Sequence, residues 1–218
     1  MNLKSTVLLG IILSVVSALS FGNYVSNRNV INKKSIGAYM DNRISETVFY
    51  EAASGMQSLL EKGIITNDSI LAIADFSKPS NEKRLFIINI CTQEIIFETL
   101  VAHGKNSGIG TTNFVSNKAN SNMSSAGFFK TANMYNGKHG TSLKLEGLDK
   151  GVNDNALARG IVVHGADYVN ESLAKSRGWI GRSLGCPAVP TKDIKKVIQL
   201  LPTGTCLFIY HPSYKGNQ

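Results

Sequence analysis

The chain has 218 residues, with 23 Lys and Arg against 15 Asp and Glu and a formal net charge of +8. That length suits one well-buried domain with a small addition and leaves no comfortable room for two full-sized domains. The basic residues are scattered, as in Lys33-Lys34, Glu82-Lys83-Arg84 and Lys195-Lys196, with no long tract. This argues against nucleic acid as the partner and for a solvated surface or an anionic envelope polymer.

The first 20 residues read as a signal peptide. Lys4 gives a positive start, the apolar run Thr6–Val16 is too short to span a bilayer comfortably, and Ala18-Leu-Ser20 supplies small residues for cleavage after Ser20, with Gly22 as a second position. The chain is therefore expected to face the periplasm or the cell exterior. The rival is an uncleaved anchor, since Lys4 is alone, and membrane contact is expected only through this segment. No cysteine follows the run, so a lipid anchor is not expected there.

Residues 21–66 read as a linker followed by a helical appendage. Asn23–Ser35 carries no period, whereas Met40, Ile44, Val48, Phe49, Ala52, Met56, Leu59 and Leu60 fall on one face at helical spacing, interrupted by Gly55. From residue 67 to 218 the texture changes to short β-branched runs. Ile70–Asp75, Arg84–Cys91, Glu94–Val101, Ile161–His164 and Thr205–Tyr210 predict strands, and helices are expected near Glu171–Arg177 and Thr191–Leu200. The stretch between Val101 and Ile161 is rich in Gly, Asn and Ser and reads as long loops. The class predicted is mainly β, a sandwich or barrel-like domain with short helices.

Cysteine use raises the functional question. Three cysteines in an exported chain leave at least one unpaired. Cys91 and Cys206 lie in apolar runs and read as buried small hydrophobes or as a mutual disulfide. Cys186 instead sits in Gly181-Arg-Ser-Leu-Gly-Cys-Pro187, where Gly185 and Pro187 impose a tight turn that exposes the sulfur and aims backbone N–H groups at one point. A nucleophile with an oxyanion hole needs that geometry. A free thiol with a pKa near ~8.5 is mostly protonated at neutral pH, so a base must come near.

Four histidines are available. His164 ends the run Ile161-Val-Val, so it emerges at a strand end from which it can face Cys186. His103 and His139 precede glycines in loops, where they either line a cleft or accept turn geometry, and His211 reads as a surface residue. No Cys or His pair has the close spacing of a zinc site, so no metal and no cofactor is expected.

The blocks Ile161-Val-Val-His-Gly165 and Ser183-Leu-Gly-Cys-Pro187 together resemble the L,D-transpeptidase (YkuD-like) catalytic domain, and specifically its murein L,D-transpeptidase branch. Asp75–Pro79, Val101–Gly108, Ser124–Phe129 and Tyr135–Gly140 are similar to that branch as well, so the resemblance runs from about Ile70 to Tyr210. It implies a β-sandwich scaffold, peptidoglycan stem peptides as substrate, a thioester acyl-enzyme and acceptance of carbapenems.

By the same resemblance Cys186 is the nucleophile and His164 its base, Gly165 orients that histidine, Ser183 matches the signature hydroxyl, and Gly185 with Cys186 gives oxyanion amides. Arg182, Arg159 and His139 are the candidates for holding substrate, the two arginines alternatively forming surface ion pairs. One departure stands out: Leu184 occupies the place of a second signature histidine. The resemblance leaves open whether the thioester is captured by an amine or by water, which would make an L,D-carboxypeptidase, and whether the domain is an inactive wall-binding module. Papain-like and NlpC/P60-like peptidases are disfavoured, because in them the cysteine precedes the histidine in the chain.

Overall fold

The computed structural model describes residues 42–137 and 140–216. The predicted signal peptide, the linker and His139 lie outside them. Among the described residues no helix is long and apolar enough to cross a membrane.

Helix α1 (Glu46–Glu61) opens on Ser45, whose Oγ accepts from Val48 N–H at 3.3 Å, with Glu46 in the first turn against the positive end of the helix dipole. Its buried face carries Val48, Phe49, Ala52, Ala53 and Met56, and it lies against strands β1 (Ile70–Asp75) and β8 (Cys206–Tyr210). Gly55 does not interrupt the helix. A Cβ placed there would sit 2.0 Å from the Phe128 ring, so the missing side chain is what lets that ring reach the helix. Phe128 in turn stacks on Phe208 with centroids 4.4 Å apart.

The remaining strands are β2 (Leu85–Asn89), β3 (Glu94–Thr99), β4 (Gly127–Gly137), β5 (Gly140–Gly147), β6 (Val162–Ala166) and β7 (Ala188–Pro190), with helices α2 (Glu171–Arg177) and α3 (Ile194–Leu200). They form one mixed sheet in the order β3-β2-β1-β8-β4-β5-β6-β7. The chain leaving β3 reaches the other end of that order, since Ala102 bridges Ala188 and Gly104 bridges Ser183. The sheet thus curls towards closure around a core that includes Ile87, Phe129, Leu145, Val163, Leu207 and α3 residues Val197 and Ile198. The protein is mainly β with short helices.

The loop-rich stretch holds a long hairpin that the sequence reading misses. β4 and β5 pair antiparallel from Phe129↔Gly147 to Gly137↔Gly140. Leu143-Lys-Leu145 does alternate, with Leu143 and Leu145 buried and Lys144 exposed. The flanking glycines and the Asn136-Gly137 pair hide that alternation.

Two expectations are corrected. Cys91 is exposed, not buried, and no disulfide joins it to Cys206. β2 ends at Asn89, whose Oδ1 accepts from the N–H groups of Cys91 at 2.9 Å and Thr92 at 3.1 Å, turning the chain before Cys91 can join the strand. Cys206 is buried in β8 between Leu71 and Lys130, and burial pushes its thiol far above the ordinary range. Cys91→Ser is therefore expected to change stability by no more than ~0.5 kcal/mol, while Cys206→Ser, which buries a hydroxyl in an apolar slot, costs about 1–3 kcal/mol. Urea unfolding of the two variants checks this. His211 is likewise buried rather than on the surface. Its Nε2 donates to Thr112 O at 3.2 Å, Nδ1 accepts from Ser213 Oγ at 2.7 Å, and burial lowers its pKa.

Candidate active site

The site is built where β6 and β7 run parallel. Parallel neighbours require a crossover, and residues 167–187, with α2, supply it. The register pairs His164 with Ala188, which puts Cys186 two residues ahead of the histidine's partner. His164 is the third of the five residues of β6, inside the strand and not at its end as the sequence suggested, because β6 runs on through Gly165 and Ala166 to pair with Val189 and Pro190. His164 is buried, and its Nδ1 lies 3.0 Å from Gly165 O. A carbonyl can only accept, so Nδ1 carries the proton and Nε2 is the nitrogen left with a lone pair.

The turn bearing Cys186 is fixed by its own serine. Ser183 Oγ donates to Cys186 O at 2.6 Å and accepts from Gly185 N–H at 3.0 Å. Gly185 adopts φ +128°, a conformation that a side chain would strain. The Gly185 carbonyl accepts from Ser124 Oγ at 3.1 Å, and the same hydroxyl accepts from Gly104 N–H at 3.0 Å, tying the turn to the chain that follows β3. His103 contributes through its backbone, its carbonyl accepting from Ser183 N–H at 3.0 Å. The half-buried Cys186 places its thiol 3.7 Å from Gly160 O.

Charged and titratable groups converge on this turn. A Cβ at Gly185 would lie 3.2 Å from Arg159 Nη2, so that guanidinium sits directly against the turn. Burial lowers the pKa of Arg159, and a charge on Cys186 opposes the shift. Tyr168, whose ring packs beside Gly181, is pushed up to about 12, first by burial and then by the charge of Cys186. Arg182 is exposed, and its Nη1 donates to Lys105 O and Gly108 O, both at 3.0 Å. Leu184 stands 61% exposed at the crown of the turn.

The fold thus gathers Cys186, His164, Gly165, Ser183, Gly185, Arg159 and Arg182 around one turn. Tyr168 and Ser124 are the additions that sequence reading missed. Ser124 lay within a block singled out for its resemblance, whereas Tyr168 carried no local signal at all.

A profile of the L,D-transpeptidase catalytic domain matches residues 40–210. The chain belongs to the L,D-transpeptidase catalytic-domain family. Solved structures similar to it include an L,D-transpeptidase from Mycobacterium smegmatis, at 12% identity and a TM-score of 0.41, covering 66% of this chain and 59% of that one. An Enterococcus faecium L,D-transpeptidase variant matches at 16% identity and a TM-score of 0.41, covering 66% and 50%. The helical cell shape determining protein Pgp2 of Campylobacter jejuni matches at 12% identity and a TM-score of 0.44, covering 69% and 49%. This chain spans only about half to three-fifths of their lengths. No curated protein sequence matches it.

Proposed function

We propose that this chain is a cysteine-dependent peptidoglycan L,D-transpeptidase of the cell envelope, acting on stem peptides through a thioester. The observation that supports it most is the β6–β7 register, which sets a mid-strand histidine, its Nδ1 on Gly165 O, opposite the strand that directly follows a cysteine on a stapled turn. In the reaction, the Cys186 thiolate attacks the carbonyl of an L-configured centre in the donor stem, typically that of diaminopimelate. The C–N bond to the terminal D-residue breaks, and the leaving amine takes its proton from His164 Nε2. An acceptor amine then attacks the thioester, gives its proton to His164 and releases the thiolate.

Gly165 O holds the imidazole, and Ser183 holds the turn. Oxyanion donation falls to the backbone of the Gly185–Cys186 turn, where Gly185 N–H is already shared with Ser183 Oγ. Arg182 is the group proposed to meet a substrate carboxylate at the mouth of the site.

Intact-protein mass after incubation with purified muropeptides tests this. An adduct on Cys186, with cross-linked dimers in the medium, is the expected result. An adduct with only shortened stems would reassign the activity to an L,D-carboxypeptidase. Binding without any adduct would leave a wall-binding module.

A further inference from the structure

Arg159 is the feature of this site that the proposed chemistry does not use. It ends the turn-rich segment after β5, and its side chain runs back under the nucleophile. Nη1 donates to Ser116 O at 2.7 Å and to Ser125 Oγ at 2.6 Å. Nη2 donates to Met123 O at 2.6 Å and to Ser121 Oγ at 3.3 Å. All four acceptors lie within residues 116–125, and none is a carboxylate. A side chain engaged in this way has no orientation left in which to clamp a substrate carboxylate bidentately, so the sequence-level role of substrate holder does not suit it.

Four neutral acceptors take up the Nη1 and Nη2 donors of the guanidinium and bring no charge to offset its own. A half-buried cation with no carboxylate on these atoms is short of solvation, and an anion nearby offsets the loss. The neighbour in reach is the nucleophile turn, which approaches Nη2 so closely that a Cβ at Gly185 would stand 3.2 Å away. Glycine at that position is therefore a condition of the approach as well as of the backbone angle.

We propose that Arg159 is a positioning residue for the nucleophile: it anchors the 116–125 segment beneath the Gly185–Cys186 turn and supplies the fixed positive charge against which the Cys186 thiolate forms. The ionisable groups placed around the Cys186 turn are Arg159 from the segment after β5 and Tyr168 from the loop after β6, both of which feel the charge of Cys186, with His164 on the adjoining strand β6 and Arg182 in the turn itself. Of these, Tyr168 is neutral at physiological pH, Arg182 is exposed and screened, and His164 changes its charge as it works. Arg159 is the permanent, shielded cation of the set. The mutual dependence of the Arg159 and Cys186 charges agrees with this.

The inference rests on Cys186 being the reactive thiol, and its test needs no peptidoglycan. The rate of Cys186 alkylation by iodoacetamide is measured against pH, in a Cys91→Ser background that removes the exposed competing thiol, for the parent, Arg159→Gln, Arg159→Lys and His164→Ala. Glutamine keeps amide donors for the 116–125 carbonyls without the charge, and lysine keeps the charge without the fork.

The expected result is that Arg159→Gln moves the midpoint of the profile up by about one pH unit, so that alkylation near pH 7 slows about tenfold, while the high-pH plateau is retained. Arg159→Lys should restore most of the midpoint. A merely structural arginine would alter the plateau or the thermal transition and leave the midpoint in place, and that outcome overturns the proposal. A parent midpoint at or above the ~8.5 of a free thiol overturns it without any variant at position 159. Failure of muropeptides to acylate the parent would instead count against the proposed function and leave the alkylation result standing.

Discussion

Cys186→Ala is expected to abolish acylation by a carbapenem, His164→Ala to slow it by about 10²–10⁴-fold near pH 7, and the double variant to fall no further than Cys186→Ala. The reason is that the two side chains share one function. With Nδ1 donating to Gly165 O, His164 offers Nε2 to the thiol, and without that nitrogen the sulfur is protonated at neutral pH. The His164→Ala variant should therefore recover part of its rate above pH ~8.5, where the thiol ionises unaided, whereas Cys186→Ala recovers nothing. Rates followed by intact-protein mass across pH give all four curves. If His164→Ala acylates at the parent rate near pH 7, His164 is not the base, and His139 becomes the next candidate.

The legible parts of this chain share one property, which is that their signal is local. Ile70–Asp75 is a strand as read, because a short apolar run led by Ile70, Leu71 and Ile73 between Asn-Asp-Ser and Phe-Ser-Lys is too brief for a helix and bounded by turn residues. Glu171–Arg177 is a helix as read, capped by Asn170 Oδ1 on Leu173 N–H at 2.8 Å and closed by Gly178 in the left-handed conformation. The Gly-Cys-Pro turn and the histidine closing the run Ile161-Val-Val were conspicuous for the same reason, although β6 runs two residues beyond that histidine.

What sequence could not show is what depends on partners distant in the chain. Cys91 looks like a strand residue until Asn89 turns the chain ahead of it. His211 looks exposed near the terminus until Thr112, 99 residues earlier, receives its Nε2. Arg84 reads as one of three charges in Glu82-Lys83-Arg84, yet it is fully buried. A charged residue just ahead of a strand gives no sign that four acceptors from elsewhere will converge on it.

That buried arginine leads to the second large effect, on stability. Arg84 Nε and Nη2 donate to Val101 O at 3.0 and 2.9 Å, Nη1 to Lys78 O at 2.8 Å and Thr112 Oγ1 at 3.4 Å, and Nη2 also to His103 Nδ1 at 2.8 Å. Burial holds its pKa down at about 9, with the charge of Asp75 opposing, so it remains a cation at neutral pH. Arg84→Met should cost about 3–5 kcal/mol, because it strands two buried carbonyls and the His103 ring together.

His103 then sets the response to acid. Its Nδ1 accepts from the Arg84 guanidinium, so the ring is neutral, and burial followed by the Arg84 charge lowers its pKa to about 4 against a smaller opposing pull from the Gly108 backbone. Between about 4 and the ordinary 6.5 the unfolded chain binds a proton at this residue that the folded chain refuses. Stability contributed here is thus complete above 6.5 and falls as pH drops towards 4, by on the order of 3 kcal/mol. His211, also held down, adds loss in the same direction, whereas Asp149, held up by burial, opposes it on acidification. The useful quantity is therefore the difference between the parent and His103→Asn, whose Oδ1 can still accept from Arg84 but takes up no proton. Urea unfolding from pH 7 to pH 4 should show the parent losing stability more steeply than His103→Asn. Parallel curves would mean that the ring is not held neutral, and that the Arg84–His103 contact does not shape the stability of the chain in acid.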